Sequence, residues 1–139
     1  YEMQRSLVGS EMCIRDRHED GLRIVSDFPD VTGVFHCFSG SYEMAKELVK
    51  RGWYIGFTGV VTFKNARKAV EVAEKIPLDR ILIETDCPYM APEPVRGTRC
   101  DSSLIRYVGE YIASVKGEEP EQVFRQTVEN ACQVYNLSV

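Results

Sequence analysis

The 139-residue chain is 44% hydrophobic and 27% charged, a globular balance that excludes a disordered polymer. A formal net charge of −4 excludes a strongly basic nucleic-acid coat, so phosphate binding has to be local or metal-mediated. No apolar run is long enough to span a bilayer and no signal peptide is visible, while five Cys without a C-x-x-C pair fit reduced thiols in a cytoplasmic protein.

The opening, residues 1–17, has neither a helical nor a strand period. Its run LVGSEMCIRD, residues 7–16, resembles a translated transposon-end adapter of the kind used to prepare sequencing libraries. Residues 1–17 are therefore read as a non-native segment and set aside from fold reasoning; a genuine short element is the alternative. Its charges cancel, Arg5, Arg15 and Arg17 against Glu2, Glu11 and Asp16, so the remainder keeps the acidic balance.

Residues 18–28 read as a short helix that stops before Pro29. A strand follows over residues 32–38, broken by Ser39-Gly40-Ser41. Ser41 is placed to cap the next helix, with Glu43 in its first turn, Met44, Ala45, Leu48 and Val49 on one face, and Gly52 just past its end. Residues 53–58 form a second strand, residues 65–76 a helix stopped by Pro77, and residues 81–85 a third, β-branched strand. Pro88, Pro92 and Pro94 make the next stretch a loop. Two helices close the chain, over residues 102–116 ending at Gly117, and over residues 120–135 with Pro120 at the first helical position. Strands alternating with helices in units of about 30 residues predict parallel βα units. Three units fall short of the ~250 residues of an eight-fold barrel, so the expectation is part of a barrel; a small open sheet has the same spacing.

Three places carry chemistry. His36 sits near the C-terminal end of a predicted strand, the end that faces the site in parallel α/β folds, where an imidazole can ligate a divalent metal. A core histidine bonded to backbone is the competing reading. Glu84 and Asp86, two apart on an extended segment, share a face, and two such carboxylates need a metal, a cation or a proton. Asp86 can serve as ligand or base, or simply cap a turn before Pro88. Arg96 and Arg99 flank Gly97 in the loop of residues 92–100, where guanidinium groups can reach phosphate oxygens or lie solvated on the surface.

Taken together the runs resemble the TatD family of metal-dependent deoxyribonucleases. They are, in order, His18-Glu19-Asp20, GVFHCFSGS at residues 33–41, YIGFTG at 54–59, ILIETDCP at 81–88, Arg96-Gly97-x-Arg99, and Glu129-Asn130-Ala131. FHCFSG with ETDCP is a specific combination, and the resemblance covers nearly all of residues 18–137. It implies a (β/α)8 TIM barrel of the amidohydrolase-like type, of which residues 18–139 are the C-terminal part, with the last three βα units plus the closing helices. It implies one or two divalent ions (Mg²⁺, Mn²⁺ or Zn²⁺), with His36 matching the sixth-strand ligand and Asp86 the eighth-strand ligand. The implied activity is 3′-to-5′ hydrolysis of DNA, Asp86 orienting the attacking water and Glu84, Arg96 and Arg99 on the substrate side.

The family's His-x-His pair, fourth-strand Glu and fifth-strand His have no counterpart among the two His of this chain, and the expectation is that it does not turn over DNA by itself. The family's Asn-Glu-Pro after the Arg loop reads Cys100-Asp101-Ser102. Two other readings stand beside the nuclease: a related barrel hydrolase acting on amide or ester bonds, aminoacyl esters included, and a non-catalytic truncated barrel half.

Overall fold

The computed structural model describes residues 18–137; what the sequence leads one to expect of residues 1–17 lies outside them. The chain divides into two units at Val31 and Thr32. In the first, helix α1 (His18–Asp27) is closed by Ser26 Oγ donating to the Leu22 carbonyl, and the predicted stop before Pro29 is observed.

The second unit is built on three parallel strands in the order β1-β2-β3. They are β1 (Val34–Phe35), β2 (Tyr54–Phe57) and β3 (Ile81–Ile83), with Val34 opposite Tyr54 and Gly56 opposite Leu82. The parallel order agrees with the sequence, but the strands are shorter. β1 stops at Phe35 because Cys37 takes a left-handed φ of 46°, which turns the chain before Phe38 N bonds back to the Gly56 carbonyl. All four residues of β2 are buried, which explains its lack of polar alternation.

Helix α2 (Tyr42–Lys50) starts as expected, Ser41 Oγ accepting from Met44 N, and buries Met44, Ala45 and Leu48 against β2 and the next helix. Helix α3 (Arg67–Lys75) has no side-chain N-cap. A nine-residue helix is marginal alone, so burial of Ala69, Val72 and Ala73 holds it, with Lys116 at its far end. Lys116 Nζ donates to the carbonyls of Ala73, Glu74 and Ile76, closing three groups that α3 cannot satisfy itself. Burial pushes the Lys116 ammonium below its usual pKa, while these carbonyls give its charge something to face. Lys116→Met keeps the stem and removes the donor; we expect it to lower unfolding stability by about 1–2 kcal/mol in urea denaturation, and unchanged stability would refute the cap.

Helices α4 (Ile105–Lys116) and α5 (Pro120–Tyr135) complete the unit. A short 3-10 turn, Ser102–Leu104, precedes α4 where a continuous helix was predicted, because Asp101 caps it by accepting from Ser103 N. Helix α5 packs on β3, and the buried Asn130 joins them: its Nδ2 donates to the carbonyls of Leu78 and Ile81, and its Oδ1 accepts from Gln126. The core runs through Leu48, Ile55, Phe57, Val72, Ile81, Val108, Ile112 and Val123, all inaccessible or nearly so.

Candidate metal centre

β1 and β3 do not touch; β2 lies between them. The side chains that follow their C-terminal ends nevertheless meet across it. His36 comes directly after β1. Glu84 and Asp86 follow β3, whose ladder is extended one step by Glu84 N donating to the Phe57 carbonyl. Nε2 of His36 lies 2.8 Å from Asp86 Oδ1, and Nδ1 meets Oε2 of Glu84. The ring is thus held edge-on between two carboxylates. His36 is half exposed, at 52% of its side-chain area, against 19% for Glu84 and 16% for Asp86. The carboxylates form the floor and the imidazole reaches outward.

β2 makes room for this. A Cβ on Gly56 would lie 1.3 Å from Glu84 Oε1, so no other residue lets that carboxylate rest on the strand. Glu84 Oε1 is buried without a hydrogen-bond partner. A glycine inside a strand can signal such a close approach, and the Gly56 of YIGFTG offered that cue, but it was not singled out from the sequence; the structure adds Gly56 to the site. Gly59 does the same for the next loop, a Cβ there lying 2.2 Å from the Met90 carbonyl.

The loop after Asp86 is pinned rather than loose. Tyr89 N bonds the Asp86 carbonyl, Cys100 N the Pro88 carbonyl, and Glu93 N the Thr62 hydroxyl. It separates the two arginines. Arg96 stacks on the Phe63 ring, 4.1 Å to its centroid, with Glu93 nearby at 3.9 Å. Arg99 lines an open cleft of about 500 Å³ with Cys87, Pro88, Cys100, Asp101 and Ser102. The Asp101 carboxyl is spent locally: hydrogen bonds from the Ser103 side chain and backbone hold it below the usual carboxylate range.

Cys87 and Cys100 also meet there, Sγ to Sγ 3.8 Å, a proximity that sequence spacing does not reveal. Cys87 is exposed and Cys100 buried. Burial first, then the hydrogen bond with Cys87, pushes the Cys100 thiol up to about 11. Because the thiolate is the nucleophile, iodoacetamide at about pH 8 is expected to label Cys87 in the folded chain and to spare Cys100 until denaturant is added. Equal labelling on peptide mapping would contradict the burial.

His36 and Asp86 present a nitrogen and an oxygen to one point, a donor pair suited to a divalent ion. Glu84 lies on the other ring nitrogen, and among the described residues no group of three or more His, Cys, Asp or Glu is arranged to hold an ion. The residues therefore fit as one edge of a metal site.

Comparison with known proteins decides the family. The family described as TatD related DNase matches residues 12–136. This chain belongs to the TatD family. The TatD match starts within the opening segment, at residue 12. An uncharacterized metal-dependent hydrolase of Bacillus subtilis, YabD, is 44% identical over 126 residues, covering 89% of this chain and 49% of that protein. The 3′-5′ ssDNA/RNA exonuclease TatD of Erwinia billingiae is 35% identical over 132 residues, 88% of this chain and 50% of that one. The crystal structure of YjjV, a TatD homologue from Escherichia coli, superposes with a TM-score of 0.70 at 29% identity, covering 76% of this chain and 41% of that one. The chain thus spans about half the length of the curated relatives it matches, and its parallel sheet is part of a (β/α)8 barrel. Among the described residues no helix is long and apolar enough to cross a membrane.

Proposed function

We propose that residues 18–139 are the C-terminal part of a metal-dependent phosphodiesterase that shortens DNA from the 3′ end. The observation that carries this is the meeting of His36 Nε2 with Asp86 Oδ1 at the strand ends. The exonuclease name of the Erwinia relative supports the substrate.

In this reading His36 and Asp86 hold a divalent ion, Mg²⁺, Mn²⁺ or Zn²⁺. When bound, such an ion supplies a Lewis acid for a phosphoryl oxygen and lowers the pKa of water. The chain's own residues do the rest. Asp86, mostly buried, orients the attacking water and takes its proton at a carboxylate oxygen. His36 projects from the floor, within reach of a ligand at the sheet edge. Arg99, in the cleft beside Cys87, is the arginine we assign to the phosphate backbone, at the mouth of the same loop. Arg96, stacked on Phe63, keeps that loop in place.

Two donors hold an ion weakly, since hydrolytic sites use about three protein ligands plus water. The expected result is that this chain alone releases no nucleotides from single-stranded DNA with Mg²⁺, Mn²⁺ or Zn²⁺. A chimera in which the first half of the B. subtilis relative precedes residue 18 is expected to do so, and EDTA to stop it. Turnover by the chain alone would show that these residues suffice. A folded chimera that cleaves amide or ester substrates but no DNA would move the site to that second chemistry.

A further inference from the structure

Exposure leaves the His36 ring with little packing to set its angle. Imidazole χ2 is broad and roughly two-fold, so a half-exposed histidine beside a turn can present either nitrogen to a ligand. Something must choose. β1 itself does not, because it ends at Phe35 and Cys37 already turns the chain away.

Glu84 has the geometry to do it. One carboxylate oxygen meets Nδ1 of His36. The other is buried with no hydrogen-bond partner, in the space a side chain at position 56 would fill. Gly56 is opposite Leu82 in the ladder, and Glu84 follows two residues later on the same strand line. A buried carboxylate oxygen left unpaired costs free energy, so its position needs a compensating contact, and the His36 contact is the one in place. With Nδ1 occupied, Nε2 is the nitrogen that faces Asp86. A carboxylate behind a ligating imidazole fixes its tautomer and orientation and raises its basicity.

We propose that Glu84 is a positioning residue rather than a ligand: seated on Gly56, it holds Nδ1–H of His36 so that Nε2 and Asp86 face one ion. The proposal rests on the metal-site reading above. It assigns Gly56 a specific task, to leave the volume in which the Glu84 carboxylate lies.

The test uses the 139-residue chain with Zn²⁺ as probe. The chain has two His, so a ¹⁵N-histidine spectrum contains two ring systems, and His36→Asn identifies which is which. In the Zn²⁺-loaded wild type His36 is expected to show a slowly exchanging Nδ1–H. Glu84→Ala is expected to lose that signal and to weaken Zn²⁺ binding by about 10- to 100-fold in calorimetry. Glu84→Gln, whose amide oxygen still accepts from Nδ1–H, should recover most of the affinity. Gly56→Ala should weaken binding with Glu84 still present, by displacing its carboxylate. A merely structural Glu84 would alter melting without moving the His36 signal or distinguishing Gln from Ala. The inference is overturned if Glu84→Ala, folded by circular dichroism, binds Zn²⁺ like the wild type. Should Glu84→Ala fail to fold, Glu84→Gln and Gly56→Ala decide: Gln-like affinity with a weakened Gly56→Ala supports it, two wild-type affinities overturn it. No Zn²⁺ effect on His36 in the wild type would instead sink the metal-site reading. The Nδ1–H signal of the metal-free chain, lost or kept in Glu84→Ala, then still decides whether Glu84 orients the ring.

Discussion

Asp86→Asn in the chimera is expected to lower the rate of nucleotide release by about 10³-fold, the scale of a lost base or ligand in hydrolysis. The substitution keeps shape and size but removes the negative charge and the proton acceptor. The metal-free chain should tolerate it. Glu84 and Asp86 place two carboxylates, both more than four-fifths buried, around one imidazole, and neutralising one relieves repulsion that the fold bears without an ion. Unfolding midpoints in urea should therefore be equal to or above wild type without metal, and Zn²⁺ should stabilise the wild type more than the variant. Loss of activity together with loss of metal-free stability would assign Asp86 a structural role. Retained activity would remove it from the chemistry altogether.

Asn130→Ala is expected to cost about 3 kcal/mol of unfolding stability, a large share of what a domain has. The side chain is fully buried and all of its hydrogen-bonding groups have partners: Leu78 and Ile81 carbonyls for Nδ2, Gln126 for Oδ1. Truncation leaves two backbone carbonyls without this donor and opens a small void. Asn130→Asp should cost more, since a carboxylate cannot donate to either carbonyl and would be buried against their negative ends. The contact also ties α5 to the first residue of β3, three residues before Glu84, so destabilisation here loosens the strand that leads into both carboxylates. Urea unfolding of the two variants checks the order wild type, Ala, Asp. A loss below about 0.5 kcal/mol, the range of ordinary surface substitutions, for Asn130→Ala would show that water replaces the bonds.

Sequence by itself determined the element order, the parallel βα pattern and the two residues that face each other at its end. Apolar runs bounded by Gly, Ser and Pro mark the strands, Ser41 and Pro120 mark helix starts, and Gly52 and Gly117 mark ends with φ of 85° and 69°. These signals are local, so they can be read without knowing the fold. His36 and Asp86 were legible because strand C-termini share one edge in parallel folds, and FHCFSG with ETDCP gave the family that the comparison establishes.

Only the tertiary structure decided what those groups touch. Strand lengths shrank because pairing, not composition, sets where a ladder stops, and Cys37 ends one by turning. Glu84 lay in reach of several roles on sequence alone; the gap above Gly56, 28 residues earlier in the chain, is what seats it on Nδ1 of His36. The arginine pair looked like one feature across Gly97, yet Phe63 takes one member and the cleft beside Cys87 the other. Apart from the local turn at Cys37, the deciding contacts join residues far apart in the chain. Such contacts depend on packing of several elements at once, and no periodicity or spacing in the sequence records them.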